Sequence, residues 1–456
     1  MDIKEKLERI APFLEKRDYP AIAAILAPSA PVDIGELLSN LDTVEVIAIL
    51  QYLPANITGE ILSYLDPDLA PEILGALGEA KGSAVLDSMY LDDVADILGE
   101  LEPKERNQLL DLMEDDDADD VRELMVYPED TAGSIMTTEF VALNQSVTAE
   151  EAINILRSEA PSAETVYYVY VVDNDDVLVG VLSLRDLIVT PPSWTLEHIM
   201  HTRVKSVTDY MDQEEVATLV SRYDIMAVPV VDRNHRLVGI ITVDDILDVI
   251  EEEATEDVLR MAGSHEDELD EDDTFYEKVV KSVKVRLPWL LVTLFGGLIS
   301  GLIMNRIEAD LKAVVALTYF IPLLLGLGGN AGTQSSTVTV RGISTGQIDS
   351  SKIVYNVIRD CLVGMCVGLF CGLLLSGVAY VWMGDTALSI LVGVTLVCNM
   401  TIASSLGTLV PLLLKKLSID PAASAAPFIS TGSDIIGLLV YSAWASVFMP
   451  LLAGLL

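Results

Sequence analysis

Basic residues are scarce in this chain: 28 lysines and arginines stand against 70 aspartates and glutamates in 456 residues, a formal charge of −42. Such a surface repels phosphate backbones, which excludes DNA and RNA as partners and favours cations. Cysteine is nearly absent. Cys361, Cys366, Cys371 and Cys398 form no C-x-x-C pair, so no disulfide framework is legible and they read as small packing residues. Residues Met1 to Lys6 hold no apolar stretch, and no cleavable signal peptide is expected. A catalytic constellation is also missing. His198 and His201 stand three apart with no third ligand or base at a diagnostic spacing, and the acidic run Glu114–Asp120 lacks the glycine and closing glutamate of a calcium loop. An enzyme is not expected.

Charge is lacking from the last third in a second sense. Leu287–Leu456 carries seven acids and seven bases, so the whole net charge lies in residues 1–286. Two parts so different imply two environments, one aqueous and acidic, one apolar. About twenty apolar residues cross a bilayer as a helix. Charge-free runs cover Leu287–Asn305, Ala313–Val340, Cys361–Gly384 and Thr386–Leu414, and Pro421–Leu456 is broken by Asp434 alone. Five spans are expected. With the soluble part cytoplasmic, nine bases flank the inner ends (Lys278, Lys281, Lys284, Arg286, Arg341, Lys352, Arg359, Lys415, Lys416) and two, Arg306 and Lys312, the outer ends. The positive-inside rule then puts the N-terminus in the cytoplasm and the C-terminus outside.

A carboxylate at mid-membrane costs about 2.5–3.5 kcal/mol on insertion scales, so Asp434 is expected to face protein or water rather than lipid. Ser430, Thr431, Gly437 and Tyr441 share its helix face, a stripe that also suits helix packing. In the second span Asn330, Thr333, Gln334, Thr337 and Arg341 recur on one face, where carbonyls and hydroxyls can hydrogen-bond the water around an ion. Mg²⁺ keeps several of its waters, which fits a polar wall with one carboxylate.

The soluble part contains a repeat. Ser134-Ile135-Met136-Thr137 is echoed by His198-Ile199-Met200-His201, and Asp173, Gly180, Asp186 by Asp232, Gly239, Asp245 at identical spacing. Each copy reads as a helix, two β-branched strands and a helix. This resembles a tandem pair of CBS domains over about Ser134–Ile250. The likeness implies a nucleotide such as ATP near Tyr168, Ser183, Arg185 and Asp186, with Gly239, Thr242 and Asp245 as the second copy's counterpart. Residues 1–128 are Leu-rich short helices punctuated by proline, an all-α superhelical domain. From Asp244 to Asp273 there are fifteen acids and one base, Arg260. As a helix this run puts Asp245, Asp248, Glu252 and Glu256 on one stripe and Ile246, Ile250, Ala254, Val258 and Met261 on the other. Cations bound between like-charged surfaces draw them together, and their loss lets the surfaces part.

The order of these parts, together with RLPWLL at Arg286–Leu291, GGNAGTQSSTVTVRG at Gly328–Gly342 and DPAASAAPFISTGSD at Asp420–Asp434, resembles the MgtE family of magnesium channels along nearly the whole chain. The fold class expected is therefore a multidomain α-helical membrane protein: a cytosolic all-α superhelical domain (1–128), an α/β CBS-domain pair (129–250), an acidic connecting helix (251–285) and a five-helix transmembrane domain (286–456). The resemblance implies a homodimer in a bacterial-type plasma (inner) membrane, with Asp434 of both subunits on hydrated Mg²⁺, Asn330 in the pore wall and Asp420 at the cytoplasmic mouth. It implies regulatory Mg²⁺ at Asp92 and Asp96, at Asp212, Glu214 and Asp224, and at Asp245, Asp248, Glu253, Glu256 and Asp257. Some members carry a polar side chain two turns before the pore acid, where this chain has Ala425 and Ala426. Two other classes stay open: a proton-coupled secondary transporter with Asp434 as relay, and a membrane-anchored sensor that transports nothing.

Overall fold

The structure is a computed structural model that describes residues 3–159, 163–265, 275–306, 315–417 and 419–452. Lys312, the end of the acidic run at 266–274, and the side chains of Ala425 and Ala426 lie outside the described residues. The chain forms two compact units, Met1–Val249 and Ile250–Leu456.

The first unit opens with ten short helices: α1 (Ile3–Leu14), α2 (Tyr19–Leu26), α3 (Pro31–Leu38), α4 (Thr43–Leu50), α5 (Ala55–Leu62), α6 (Ala70–Leu77), α7 (Glu79–Leu86), α8 (Leu91–Glu100), α9 (Pro103–Leu110) and α10 (Asp115–Leu124). Proline stands in the first turn of α2, α3, α6 and α9, where its missing N–H costs nothing. Successive helices bury Ile22, Leu26, Ile34, Leu38, Ile49, Leu50, Ile61 and Leu62 in one continuous core. Each such side chain contributes about 1.5–3 kcal/mol, which offsets the weakness of eight-residue helices on their own. Lys81 Nζ donates to the carbonyls of Leu50, Gln51 and Leu53 at 2.8, 2.9 and 2.8 Å and so closes the C-terminal end of α4.

Two matching α/β modules follow. The first has β1 (Ala142–Asn144), α11 (Ala149–Glu159), β2 (Tyr168–Val172), β3 (Leu178–Ser183) and α12 (Leu184–Val189); a short α13 (Leu196–Ile199) leads to the second, with β4 (Val207–Thr208), α14 (Gln213–Tyr223), β5 (Ala227–Val231), β6 (Leu237–Thr242) and α15 (Val243–Met261). Both sheets are three-stranded, parallel then antiparallel, with a register shift at Val171/Val172 and at Val230/Val231. The repeated Met motifs cross over. A Cβ on Gly180 would lie 2.5 Å from Met200 Sδ, and one on Gly239 2.6 Å from Met136 Sδ. Each copy's lead-in therefore packs on the other copy's sheet, and glycine is the residue that admits it. The apolar stripe expected on α15 is only partly buried. Ile246 and Val249 close the core, but Ile250 and Val258 are 39% and 61% exposed, because burial ends after the first two turns.

The second unit holds five long helices among the described residues: α16 (Phe275–Arg306), α17 (Ala316–Ser344), α18 (Ile353–Met383), α19 (Thr386–Lys416) and α20 (Pro421–Leu452). α16, α18, α19 and the Pro427–Pro450 part of α20 are long and apolar enough to cross a membrane. α17 is long enough but too polar in its second half, where Gly328–Thr337 replaces leucine with glycine, amide and hydroxyl. α19 is the most enclosed of the five, packed on α17, α18 and α20.

Candidate metal centres and pore wall

Three segments of the first unit bring carboxylates together. Asp92 on α8, Glu164 on the lead-in to β2 and Asp245 on α15 each offer an oxygen within 4.8 Å of the other two. Burial, then the charges of Glu164 and Asp245, pushes Asp92 up to about 9. Burial and the Asp245 charge push Glu164 up to about 7. Burial pushes Asp245 up to about 6, although the Thr242 hydroxyl donates to it at 2.6 Å and opposes the shift. One Glu164 oxygen, Oε2, is buried without a hydrogen-bond partner. Three crowded carboxylates are stable together only when a proton or a cation reduces their charge. Their hard oxygens fit Mg²⁺ or Ca²⁺. Asp92 and Asp245 were legible from the resemblance, whereas Glu164 was not. Beside them Glu139 accepts the Leu91 N–H at the start of α8 at 3.0 Å, and burial pushes it up to about 7.

The other acids expected to take regulatory Mg²⁺ lie on several elements. Asp96 lies one turn beyond Asp92 on the exposed side of α8, and Asp248 is exposed on α15. Asp212 caps α14 by accepting the Glu214 N–H at 3.0 Å, while Asp224 ends the same helix with a left-handed φ of 51°. The helix length therefore separates Asp224 from the Asp212 and Glu214 pair. At the element expected to hold a nucleotide, Ser183 and Asp186 form a capping box on α12, with the Ser183 hydroxyl donating to Asp186 at 2.6 Å. Arg185 is exposed, Tyr168 half-buried, and His201 Nε2 stands 3.8 Å from Asp186. The second copy differs. Thr242 donates to both Asp244 and Asp245, so its aspartate belongs to the acidic cluster instead.

In the second unit the C-terminal half of α15 carries Glu253, Glu256 and Asp257, all half-buried. Asp257 accepts the Ser344 hydroxyl at the end of α17 at 2.8 Å. Burial is the larger influence on Asp257 and raises it, against that hydrogen bond. Arg260 bridges Glu256 and Asp420, the latter at 2.7 Å. Asp420 also accepts the Ala422 N–H at 2.7 Å and so caps α20.

The face of α17 that holds Asn330, Thr333, Gln334, Thr337 and Arg341 is exposed, while Ala331, Gly332, Ser336, Thr339 and Val340 are buried on the opposite side. The Thr333 and Thr337 hydroxyls donate to carbonyls four residues back, at 3.1 Å each, which leaves oxygen lone pairs outward. Such a face suits a hydrated cation and cannot lie against hydrocarbon without cost. Asp434 is half-buried and has no hydrogen-bond or ion-pair partner among the described residues. Its neighbours divide. Tyr441 donates to the Leu317 carbonyl at 2.7 Å, Gly437 packs on Asn399 and Thr431 on Gly296, so much of that stripe is a packing seam. Asn399 is wedged between Gly328 of α17 and Gly437 of α20, and its Nδ2 donates to the Leu324 carbonyl at 2.7 Å. A second acid, Asp360, is buried on α18, paired with Arg359 at 2.8 Å and receiving the Thr408 hydroxyl of α19.

Comparison with known proteins agrees with this division. Family profiles match a divalent cation transporter of the MgtE type at 321–444, the MgtE intracellular N domain at 29–130, and CBS domains at 132–190 and 196–252. The chain is 42% identical over 329 residues to the magnesium transporter MgtE of Bacillus subtilis, covering 72% of each protein. It is likewise 42% identical over 324 residues to the magnesium transporter MgtE of Thermus thermophilus, covering 71% of each. Among solved structures, the cytosolic domain of the Mg²⁺ channel MgtE in complex with ATP aligns with a TM-score of 0.50 and 41% identity, over 53% of this chain and 98% of that one. The chain belongs to the MgtE family of divalent cation transporters.

Proposed function

We propose that this chain is a Mg²⁺ channel that mediates Mg²⁺ uptake and is closed by intracellular Mg²⁺. The observation that carries the gating half is the meeting of Asp92, Glu164 and Asp245 from three segments of the soluble unit. At low Mg²⁺ their repulsion loosens the acidic surfaces. At high Mg²⁺ the ion replaces the protons and draws them together. The connecting segment 251–285 carries this change towards the membrane helices, with Glu253, Glu256, Asp257 and Asp420 taking further cations. The permeation half is supported by the exposed polar face of α17 and by Asp434, which has no partner among the described residues. Such a face needs water or a second copy against it. A homodimer in the bilayer, with five spans per chain, the N-terminus cytoplasmic and the C-terminus outside, supplies both. The ATP-bound relative supports a nucleotide at Tyr168, Ser183, Arg185 and Asp186.

The test is liposome flux of Mg²⁺ against Ca²⁺, with Mg²⁺ on the cytoplasmic side varied. Wild type is expected to pass Mg²⁺ and to close as that Mg²⁺ rises, and Asp434→Ala to abolish flux. Flux driven by a pH gradient and uncoupled by Asp434→Asn would put a proton relay in place of the channel. Flux that rises with cytoplasmic Mg²⁺ would reverse the gating.

A further inference from the structure

Arg260 is the one base among fifteen acids between Asp244 and Asp273. Its guanidinium is held by two carboxylates, one local and one distant in sequence: Glu256, one turn back on α15, and Asp420, at the head of α20. Its side chain is 31% exposed, and those of Glu256 and Asp420 are 22% and 35% exposed. Asp420 is pre-positioned for this contact. One oxygen caps α20 through the Ala422 N–H, and the other meets Arg260. Asp257 stands next to Glu256 and feels the charges of Asp420, Arg341 and Arg260. The site is therefore two acids on a planar, permanently charged fork, with Asp257 beside them under the charges of both Arg341 and Arg260.

Given the reading above, in which cations gather this segment against the membrane helices, we infer that Arg260 is a tethered counter-cation. It bridges Glu256 and Asp420 in the way a divalent ion would, and it competes with that ion for the same oxygens. Two consequences have opposite sign. Without Mg²⁺, the guanidinium keeps α15 attached to α20 by a weak monovalent bridge. With Mg²⁺, the same charge repels the incoming ion and occupies its ligands, so more Mg²⁺ is needed for closure. Arg260 thus sets the concentration at which the protein responds. A residue that merely stabilised the closed arrangement would act differently: its removal would raise the Mg²⁺ requirement.

The experiment uses full-length protein in liposomes, with Mg²⁺ titrated on the cytoplasmic side and two readouts, protease protection of residues 251–285 and Mg²⁺ flux. Arg260→Gln is expected to be cleaved faster than wild type at zero Mg²⁺, yet to be protected and closed at about tenfold lower Mg²⁺, as expected when one positive charge a few ångströms from the ion is removed. Arg260→Lys keeps the charge but loses the fork, and its midpoint is expected between the two. An unchanged or raised midpoint in Arg260→Gln overturns the inference, and if that variant does not fold, an unchanged midpoint in Arg260→Lys does so. Asp420→Asn separates this from failure of the underlying reading. If it too responds to Mg²⁺ like wild type, no cation acts at this cluster and the inference falls with it.

Discussion

The carboxylate oxygens of Asp92 and Glu164, contributed by the helical domain and by the strand lead-in of the first CBS copy, approach to within 4.8 Å of each other. Both groups are raised by burial, Asp92 to about 9 and Glu164 to about 7, and Asp245 beside them to about 6. A carboxyl raised in the folded state holds a proton that the unfolded chain has released. Its contribution is complete at acid pH, below about 4, and is lost as pH rises through the folded values. Without divalent cations, hydrogen-exchange protection of α8 is therefore expected to fall as pH rises from about 4 and to level off above about 9. Saturating Mg²⁺ should flatten that fall, because the ion takes the protons' place. Protection that rises with pH in the absence of Mg²⁺ would contradict the assignment.

Glu164→Gln separates repulsion from ligation. The amide removes one negative charge, so protection of α8 without Mg²⁺ should increase. The same change removes a hard oxygen ligand, and the Mg²⁺ concentration for half-maximal protection should rise about tenfold. Asp92→Asn is expected to raise the Mg²⁺ midpoint likewise, but to change protection without Mg²⁺ little at neutral pH, because Asp92, raised to about 9, already holds its proton there. Protease or hydrogen-exchange titrations read both effects, and a lower Mg²⁺ midpoint in either variant argues against a cation at this place.

Ser344→Ala removes the hydroxyl that Asp257 accepts at 2.8 Å. Losing a hydrogen bond to a charged group costs about 1.5–3 kcal/mol. If that bond belongs to the closed arrangement, the variant should stay open at Mg²⁺ concentrations that close the wild type, with a midpoint roughly tenfold higher. Flux at fixed driving force measures it.

Gly437→Ala puts a Cβ 2.9 Å from Asn399 Oδ1, closer than such atoms approach. Overpacking of this kind costs about 1–3 kcal/mol. The melting temperature should fall by a few degrees, and discrimination between Mg²⁺ and Ca²⁺ should change with it. Asn399→Ala in the same chain relieves the clash and is expected to restore part of the melting temperature but not the discrimination.

Much of the fold was legible because it rests on local pattern. The CBS repeat was visible in the Asp173, Gly180, Asp186 spacing, and the long helices of the second unit in runs without charge. The Met136 and Met200 motifs were seen as echoes, but their crossed packing on Gly239 and Gly180 depends on tertiary pairing that no window of sequence contains. Glu164 escaped for the same reason: it lies between elements, with no periodicity around it, and gains its neighbours only when the chain returns. Asp360 escaped for another. The charge-free run was taken to begin at Cys361, yet α18 starts earlier, and Arg359 with Thr408 gives the buried acid its partners. Ile250 and Val258 share a stripe with the buried Ile246 yet are exposed, because helical spacing reports which residues share a face, not how far that face stays covered.

The Asn399 side chain carries a consequence of its own. It acts as a gauge block: its amide is gripped on one side by the helix of Asn330 and on the other by the helix of Asp434, through two positions that have no side chain to yield. If the faces of Asn330 and Asp434 line the passage as proposed, its width is inherited from a group between the helices, and variants that alter throughput need not line the route at all.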